Sequence, residues 1–215
     1  SKLKFKNKMF KFGLVQAWKL FAFNYPTCHI LIVGKHKVTT MRTLIFLFLS
    51  SIILQAQGQT FEWAKRMGDA NYQYGYAIAN DNSNNVFVTG YFQGTVDFDP
   101  GTGTSNLTSA GGYDVFIQKL DPNGNLLWVK SVGGTGGDRG FSISIDNSGN
   151  AYITGKFRNT VDFDPSVSTY NLTANNTDAF ILKLDNAGNF VWAAQLYGTG
   201  DAEGNGITVD DNSNV

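Results

Sequence analysis

The 215 residues carry 17 basic and 17 acidic side chains, so the formal net charge is zero, but the two signs are divided along the chain. Residues 1–59 hold nine basic residues and no acidic one, whereas residues 60–215 hold eight basic and 17 acidic residues. An acidic body disfavours nucleic acid as a partner, because phosphate binding needs clustered Lys and Arg. The single cysteine and both histidines precede Met41, which excludes disulfides, Cys or His metal sites and a Ser–His–Asp triad from the body.

Residues 1–40 begin with Ser, and their mixture of Lys and Phe has no clear period. We interpret them as upstream sequence that is not part of the native protein, with Met41 as the true start. The alternative is a basic cytoplasmic tail on an uncleaved anchor.

Residues 41–58 have the pattern of a secretory signal peptide. Arg42 supplies one positive charge, Leu44–Leu54 forms an apolar run of 11 residues, and the small residues Ala56 and Gly58 follow at suitable cleavage positions. A spanning helix needs about 20 apolar residues, so we predict no membrane span in the mature protein. The expected location is extracellular or at the cell surface.

Residues 59–215 are dominated by an internal repeat, the signature of solenoids and propellers. Trp63 recurs as Trp128 and Trp192, at spacings of 65 and 64 residues. Three longer segments also recur: Asn85–Phe92 as Asn150–Phe157, Thr95–Pro100 as Thr160–Pro165, and Asp114–Asp121 as Asp178–Asp185. The predicted repeats are approximately 63–127, 128–191 and a partial 192–215.

Each copy is predicted to form four short strands, which are rich in β-branched and aromatic residues and bounded by Gly, Asn, Asp and Pro. In the second copy they are Phe141–Ile145, Ala151–Phe157, Asp178–Leu184 and Phe190–Leu196. About 20 residues separate the second strand from the third, which is long for a blade loop and suits a small hairpin. We therefore predict an all-β fold, a partial β-propeller with two full four-stranded antiparallel blades and part of a third.

The turns between these strands share the form Asp-x-x-Gly-Asn. The Asp side chain can accept backbone N–H groups at the start of the turn, and Gly supplies a positive φ. In the first turn Asn84 replaces Gly, and Asn is the next most tolerant residue for that conformation. The segment Phe61–Lys65 is predicted to be a lone strand of the fourth type, ahead of the first full copy.

Together, the Tyr-x-Thr-Gly, Thr-Val-Asp-Phe-Asp-Pro and Lys-Leu-Asp-x-x-Gly-Asn motifs and the Trp that follows resemble the SBBP-type β-propeller repeats of bacterial exported proteins. The resemblance covers about Phe61–Val215. It implies a multi-bladed propeller in a secreted or surface protein, and it implies no established reaction.

The repeated acids Asp97, Asp99, Asp162 and Asp164 are candidate Ca²⁺ ligands, since residues two apart point to one face of an extended segment. Because they recur in register, a loop-shaping role is the simpler interpretation, and no cofactor is predicted. The stretch Gly133–Asp138 matches the start of a calcium nonapeptide and is read as an inter-blade connection, in which Asp138 and Asp201 cap the backbone. The repeated Trp residues are read as blade packing.

Four charged residues vary between copies: Arg139, Lys156, Arg158 and Glu203. A specific ligand site would have to lie at such non-repeated positions, but these four form no recognisable constellation. The favoured function is a non-catalytic, exported scaffold or binding surface for an unknown protein or glycan. The alternative is part of a polysaccharide hydrolase or lyase with carboxylates as acid and base, most of whose active site lies elsewhere.

Overall fold

The computed structural model describes residues 62–68 and 72–215. The predicted signal peptide at 41–58 and the segment at 1–40 lie outside the described residues. The strands are β1 Gln73–Asn80, β2 Val86–Phe92, β3 Thr95–Asp97, β4 Asn106–Thr108, β5 Asp114–Leu120, β6 Leu126–Gly134, β7 Arg139–Ile145, β8 Ala151–Asp162, β9 Asn171–Leu184 and β10 Phe190–Leu196. The described residues contain no helix, which confirms the all-β prediction.

The strands form two four-stranded antiparallel sheets with the same topology. The first sheet has the order β1-β2-β5-β6 and the second β7-β8-β9-β10. A short pairing of Gly133 and Gly134 with the end of β8 joins the sheets. Two such tandem sheets confirm the partial propeller. The repeating Trp begins each sequence repeat but lies in the last strand of a sheet, so the sheets are offset by one strand from the repeats.

The predicted small hairpin is present in both sheets, in two forms. In the first sheet it is the separate pair β3–β4, in which Thr95 faces Thr108. In the second sheet it is the continuation of β8 and β9, with Thr160 opposite Thr173. The threonine hydroxyl pairs are 2.8 and 2.9 Å apart, so the two hairpins are equivalent.

A shared core lies between the two sheets. Phe87 and Ile117 of the first sheet belong to the same buried cluster as Ile143, Phe157 and Phe180 of the second. Burying a large apolar side chain contributes about 1.5–3 kcal/mol each. The packing of one sheet on the next therefore holds the two copies together.

The Thr-Gly motif of the repeat has a packing role. The hydroxyls of Thr89 and Thr154 donate to main-chain carbonyls of β5 and β9 at 2.9 and 2.6 Å. A Cβ on Gly90 would lie 1.8 Å from the Tyr74 carbonyl oxygen, and one on Gly155 would lie 1.9 Å from that of Arg139. Only glycine allows the first strand to pass this close to the second.

The predicted Asp-x-x-Gly-Asn turns are confirmed. Gly124, Gly149 and Gly188 have φ of 75°, 79° and 82°, and Asn84 has 61°. In the turn at 121–125, the Asp121 carboxylate accepts the N–H groups of residues 123 and 125, each at 2.8 Å. The Asp side chain thus supplies acceptors that the backbone of the turn lacks.

The repeating Trp side chains join one blade to the next. Trp63 Nε1 donates to Pro122 O at 2.8 Å, and Trp128 Nε1 donates to Asn186 O at 3.1 Å. The predicted strand at Phe61–Lys65 is not formed over its described part, residues 62–65, although Trp63 occupies the same place on a turn as Trp128. Blade packing is therefore the role of these two Trp side chains.

The start of the third copy lies against the second sheet. Ile207 N and Val209 N donate to the hydroxyls of Ser142 and Ser144 at 3.3 and 3.2 Å. Residues 200–215 contain no assigned strand, but the turn Asp210–Asn214 repeats the bonds of the earlier turns.

Candidate binding surface

The repeated acids of the first copy shape the loop that follows β3. Asp97 Oδ1 accepts the N–H groups of Asp99 at 3.0 Å and Ser105 at 2.8 Å, and Asp99 Oδ1 accepts the Gly101 N–H at 2.7 Å. The bonds from Ser105 and Asp99 hold the pKa of Asp97 below its usual value.

The second copy repeats this arrangement. Asp162 Oδ1 accepts the N–H groups of Asp164 at 3.0 Å and Tyr170 at 2.8 Å, and Asp164 Oδ1 accepts from Ser166 at 2.9 Å. Within the described residues no group of three or more His, Cys, Asp or Glu side chains could hold a metal ion. These bonds give the four acids a loop-shaping role, and Ca²⁺ binding by them stays a prediction.

The variable residue Arg139 lies at the junction of the two sheets, against two tyrosines of the first. Its guanidinium carbon is 4.8 Å from the centroid of the Tyr91 ring and 5.1 Å from that of Tyr113. The two rings meet edge to face at 4.8 Å. A cation over aromatic faces is stabilised by about 0.5–2 kcal/mol, so the rings hold this side chain in place.

Two exposed tyrosines of β1 continue the same surface. The Tyr74 and Tyr76 rings lie 5.2 and 5.7 Å from the ring of Tyr91. Tyr74 is 52% exposed and Tyr76 is 51% exposed. We call Tyr74, Tyr76, Tyr91, Tyr113 and Arg139 together the tyrosine–arginine surface.

The other variable charges pair with each other or with the fold. Lys156 makes an ion pair and hydrogen bond with Glu203 of the third copy. Arg158 Nε donates to the Thr177 hydroxyl at 2.9 Å. The structure thus brings Lys156 and Glu203 together, and Lys156 is also the cross-strand partner of Arg139.

Two buried acids lie beside the tyrosine–arginine surface, and sequence reasoning missed their proximity. The Asp114 carboxylate lies over Gly133, where a Cβ would be 2.2 Å from its Cγ. Asp138 Oδ2 accepts the Gly134 N–H at 2.8 Å, and its Oδ1 accepts the Arg158 N–H at 2.9 Å. The predicted capping role of Asp138 is therefore confirmed, whereas Asp201 accepts from the Asn176 side chain instead.

Burial raises the pKa of both acids to about 6. Asp114 Oδ2 accepts the Ala110 N–H at 2.9 Å, but its Oδ1 has no partner among the described residues. The corresponding Asp178 also accepts from Gln195 Nε2 at 2.5 Å. Asp114 is 3% exposed and Asp138 is 0% exposed, so neither carboxylate is at the surface of the structure.

The tyrosines were not singled out from the sequence, although a signal for them exists. Tyr74 pairs with Tyr91 in the first sheet, and at the same register of the second sheet Arg139 pairs with Lys156. An alignment of the two copies at their Asp-x-x-Gly-Asn turns shows every position at which the residue class changes, and the tyrosines are among those positions.

No protein-family model matches the chain. Among curated proteins, an uncharacterized WD repeat-containing protein of Acanthamoeba polyphaga mimivirus is 30% identical over 182 residues, which covers 71% of the chain. The chain spans only 13% of the length of that relative. Among the described residues no helix is long and apolar enough to cross a membrane. WD repeats build four-stranded propeller blades, so this similarity and the two sheets identify a repeat protein of propeller type.

Proposed function

We propose that the chain is a non-catalytic scaffold of an exported, SBBP-type propeller protein, and that its tyrosine–arginine surface binds a protein partner outside the cell. The motifs of the repeat and the signal-peptide pattern at 41–58 support the family and the export. The placement of the varying side chains supports the binding role.

The observation that carries the proposal is a difference in contacts: repeated side chains bond to the fold, whereas non-repeated ones are accessible. Repeated side chains such as Thr154, Asp146 and Trp128 bond to turns, strands and neighbouring blades. The non-repeated Tyr74, Tyr76 and Arg139 instead form one accessible surface. Tyr and Arg are enriched among the residues that dominate binding energy at protein interfaces.

The alternative is a polysaccharide hydrolase or lyase. The two acids whose proximity breaks the repeat symmetry, Asp114 and Asp138, are buried and bonded to backbone groups. General acid–base catalysis requires contact with the reacting group, so these acids would need a rearranged loop. Cleavage of a polysaccharide by the full-length protein, abolished by Asp138→Asn, would favour this alternative.

The binding role is tested by photo-crosslinking in the producing cell. Tyr76 is replaced with p-benzoylphenylalanine, and the matched control places the same group at Tyr197, which is 76% exposed and lies outside the surface. We expect a discrete protein adduct at position 76 and none at 197. Equal crosslinking at both positions, or none at 76, contradicts the proposal.

Export has a separate test. The N-terminus of the protein recovered from the culture medium or cell surface is sequenced. We expect it to start at Gln57 or Gln59. A mature protein that retains residues 1–40 is incompatible with cleavage of the predicted signal peptide.

A further inference from the structure

We infer that Arg139 is the receptor for a carboxylate on an extended acidic peptide segment of the protein partner. The inference rests on the proposed function, because it names the chemistry that the tyrosine–arginine surface recognises. Three observations support it: Arg139 contacts no anion among the described residues, the next blade junction pairs its own charges, and an edge of β1 lies beside the surface.

The guanidinium of Arg139 is fixed but not neutralised by contact. Tyr91 and Tyr113 hold it through their rings, and no carboxylate or hydrogen-bond acceptor contacts it among residues 62–68 and 72–215. The carboxylate of the preceding residue, Asp138, is directed at the N–H groups of Gly134 and Arg158. A guanidinium has five donors in a planar fork that matches a carboxylate with two parallel bonds.

The next blade junction provides an internal comparison. There the third copy carries Glu203 at the place of Arg139, in a segment with no assigned strand, and β8 carries Lys156 at the place of Tyr91. These two side chains form an ion pair. One junction therefore satisfies its own charges, whereas the other presents a cation to an external anion.

The neighbouring strand favours a peptide over a sugar as the source of the carboxylate. β1 pairs on one side with β2, and no described strand pairs with its other edge over Tyr74–Asn80. Such an edge offers main-chain donors and acceptors to another extended chain. Tyr74 and Tyr76 lie on this strand, and the Tyr91 ring connects them to Arg139.

Partner orientation follows from this arrangement. The peptide backbone would lie along the edge of β1, with apolar or aliphatic atoms on the exposed tyrosine rings and one acidic side chain on Arg139. A charge-assisted bond contributes more than a neutral one, while the tyrosines supply buried area at low cost in conformational entropy.

The test uses the full-length protein and two acetylated, amidated hexapeptides with the sequences Thr-Glu-Thr-Glu-Thr-Glu and Thr-Gln-Thr-Gln-Thr-Gln. Binding is measured by calorimetry and by the change in tyrosine fluorescence. We expect the Glu peptide to bind and the Gln peptide to bind at least tenfold more weakly. Arg139→Gln should weaken binding of the Glu peptide by about tenfold or more, because it removes the charge-assisted contact.

Arg66→Gln is the matched control, because it removes one exposed cation outside the tyrosine–arginine surface, and it should leave affinity unchanged. Arg139→Lys retains the charge but loses the planar fork, so we expect an intermediate affinity. Unaltered near-ultraviolet circular dichroism of both Arg139 variants establishes that the tyrosine packing survives.

Several outcomes overturn the inference: no binding of the Glu peptide to the wild type, equal binding of both peptides, or equal losses in the Arg139→Gln and Arg66→Gln variants. Arg139-dependent binding of tetragalacturonate in place of the peptide also overturns it. Crosslinking at Tyr76 that persists unchanged in Arg139→Gln contradicts this inference alone. Absence of any adduct at Tyr76 in an otherwise peptide-binding protein contradicts the proposed function instead.

Discussion

At the scale of single residues, the Thr-Gly motif makes a sharp prediction, because its glycine lies in contact with backbone rather than with a movable side chain. Gly155→Ala would place a Cβ 1.9 Å from the Arg139 carbonyl oxygen. We expect the free energy of unfolding to fall by about 1–3 kcal/mol or more, as measured by urea denaturation. Gly206→Ala is the control, since nothing lies within 4 Å of its Cβ, and it should change stability little.

The buried acids predict an unusual pH dependence. The fold favours the protonated forms of Asp114 and Asp138, whose pKa values rise to about 6 from 3.8. Their contribution to stability is therefore fully present below about pH 4 and is lost as the pH rises through about 6. The Asp114 carboxylate further raises the pKa of Asp138, and no cation forms an ion pair with either acid among the described residues: Arg139 lies on its tyrosines and Arg158 Nε bonds to Thr177.

Asp114→Asn tests this pH dependence. At pH 7.5 we expect the free energy of unfolding to increase by on the order of 1 kcal/mol, since removing the buried charge outweighs a new unpaired amide N–H. The decline in stability between pH 5 and pH 7.5 should also become shallower. Asp201→Asn, at an exposed carboxylate, should leave that decline unchanged, and an unaltered decline in the Asp114 variant contradicts the assignment.

At the scale of elements, turns that share the Asp-x-x-Gly-Asn form differ in how much their Asp contributes to stability. In the β7–β8 turn, Asp146 Oδ1 accepts the Ser148 and Asn150 N–H groups at 2.9 Å, and its Oδ2 also accepts the Tyr152 hydroxyl at 3.2 Å. Asp146 is buried, whereas the equivalent Asp121 of the β5–β6 turn is half-buried. Burial alone would raise the pKa of Asp146, but bonds from Asn150, Ser148 and Tyr152 outweigh it and keep the pKa below its usual value.

We therefore expect Asp146→Ala to cost about 2–4 kcal/mol and Asp121→Ala about 1 kcal/mol in urea denaturation at pH 7. Because the folded pKa of Asp146 is lowered, its contribution is present above about pH 4 and is lost as the pH falls further. The difference between the two variants should thus shrink at pH 3. Equal costs for both at pH 7 contradict the role of burial.

The sequence predicted the turns and most of the strands well because each rests on a local signal, although the strand predicted at Phe61–Lys65 is not formed over residues 62–65. Phe190–Leu196 was predicted to the residue, and the positive φ of Gly149 follows from its turn motif. The fused length of β8 was not predicted, since it depends on whether a hairpin continues the sheet or separates from it. The contact of Arg139 with Tyr91, 48 residues earlier in the sequence, depends on blade packing, which no single-copy pattern encodes.

At the scale of the whole molecule, one blade is coupled to the next through a turn. Trp128 Nε1 donates to Asn186 O at 3.1 Å, and the Trp128 ring lies against Gly188 and edge to face with Phe87. Lys119 Nζ reaches the same Asn186 carbonyl at 3.4 Å. Stability in tandem arrays is a sum of repeat and interface terms, so this contact belongs to the interface term.

Changes at Trp128 separate these contributions. Trp128→Phe keeps a ring and loses the N–H bond, and we expect a cost of about 1 kcal/mol; Trp128→Ala should cost about 3–5 kcal/mol. For Trp192→Phe the cost should be smaller, because no acceptor contacts its indole N–H within the described residues. Denaturation followed by both circular dichroism and fluorescence should show two transitions only for Trp128→Ala. Equal costs for the two Phe variants contradict a linking role for the bond.

Two isoleucines at the same position of successive copies measure what a neighbouring blade contributes. Ile143 is 7% exposed because the first sheet covers it, whereas Ile78 on β1 is 68% exposed. With the unpaired edge of β1 beside it, this face invites association, and we expect residues 59–215 alone to be marginally stable or to aggregate. Ile78→Lys should reduce that association in sedimentation velocity with little loss of stability, while Ile143→Lys should abolish folding. A sharp, reversible unfolding transition of monomeric, unaltered residues 59–215 contradicts this expectation. Ile78 would then be an ordinary exposed residue and not part of an interface.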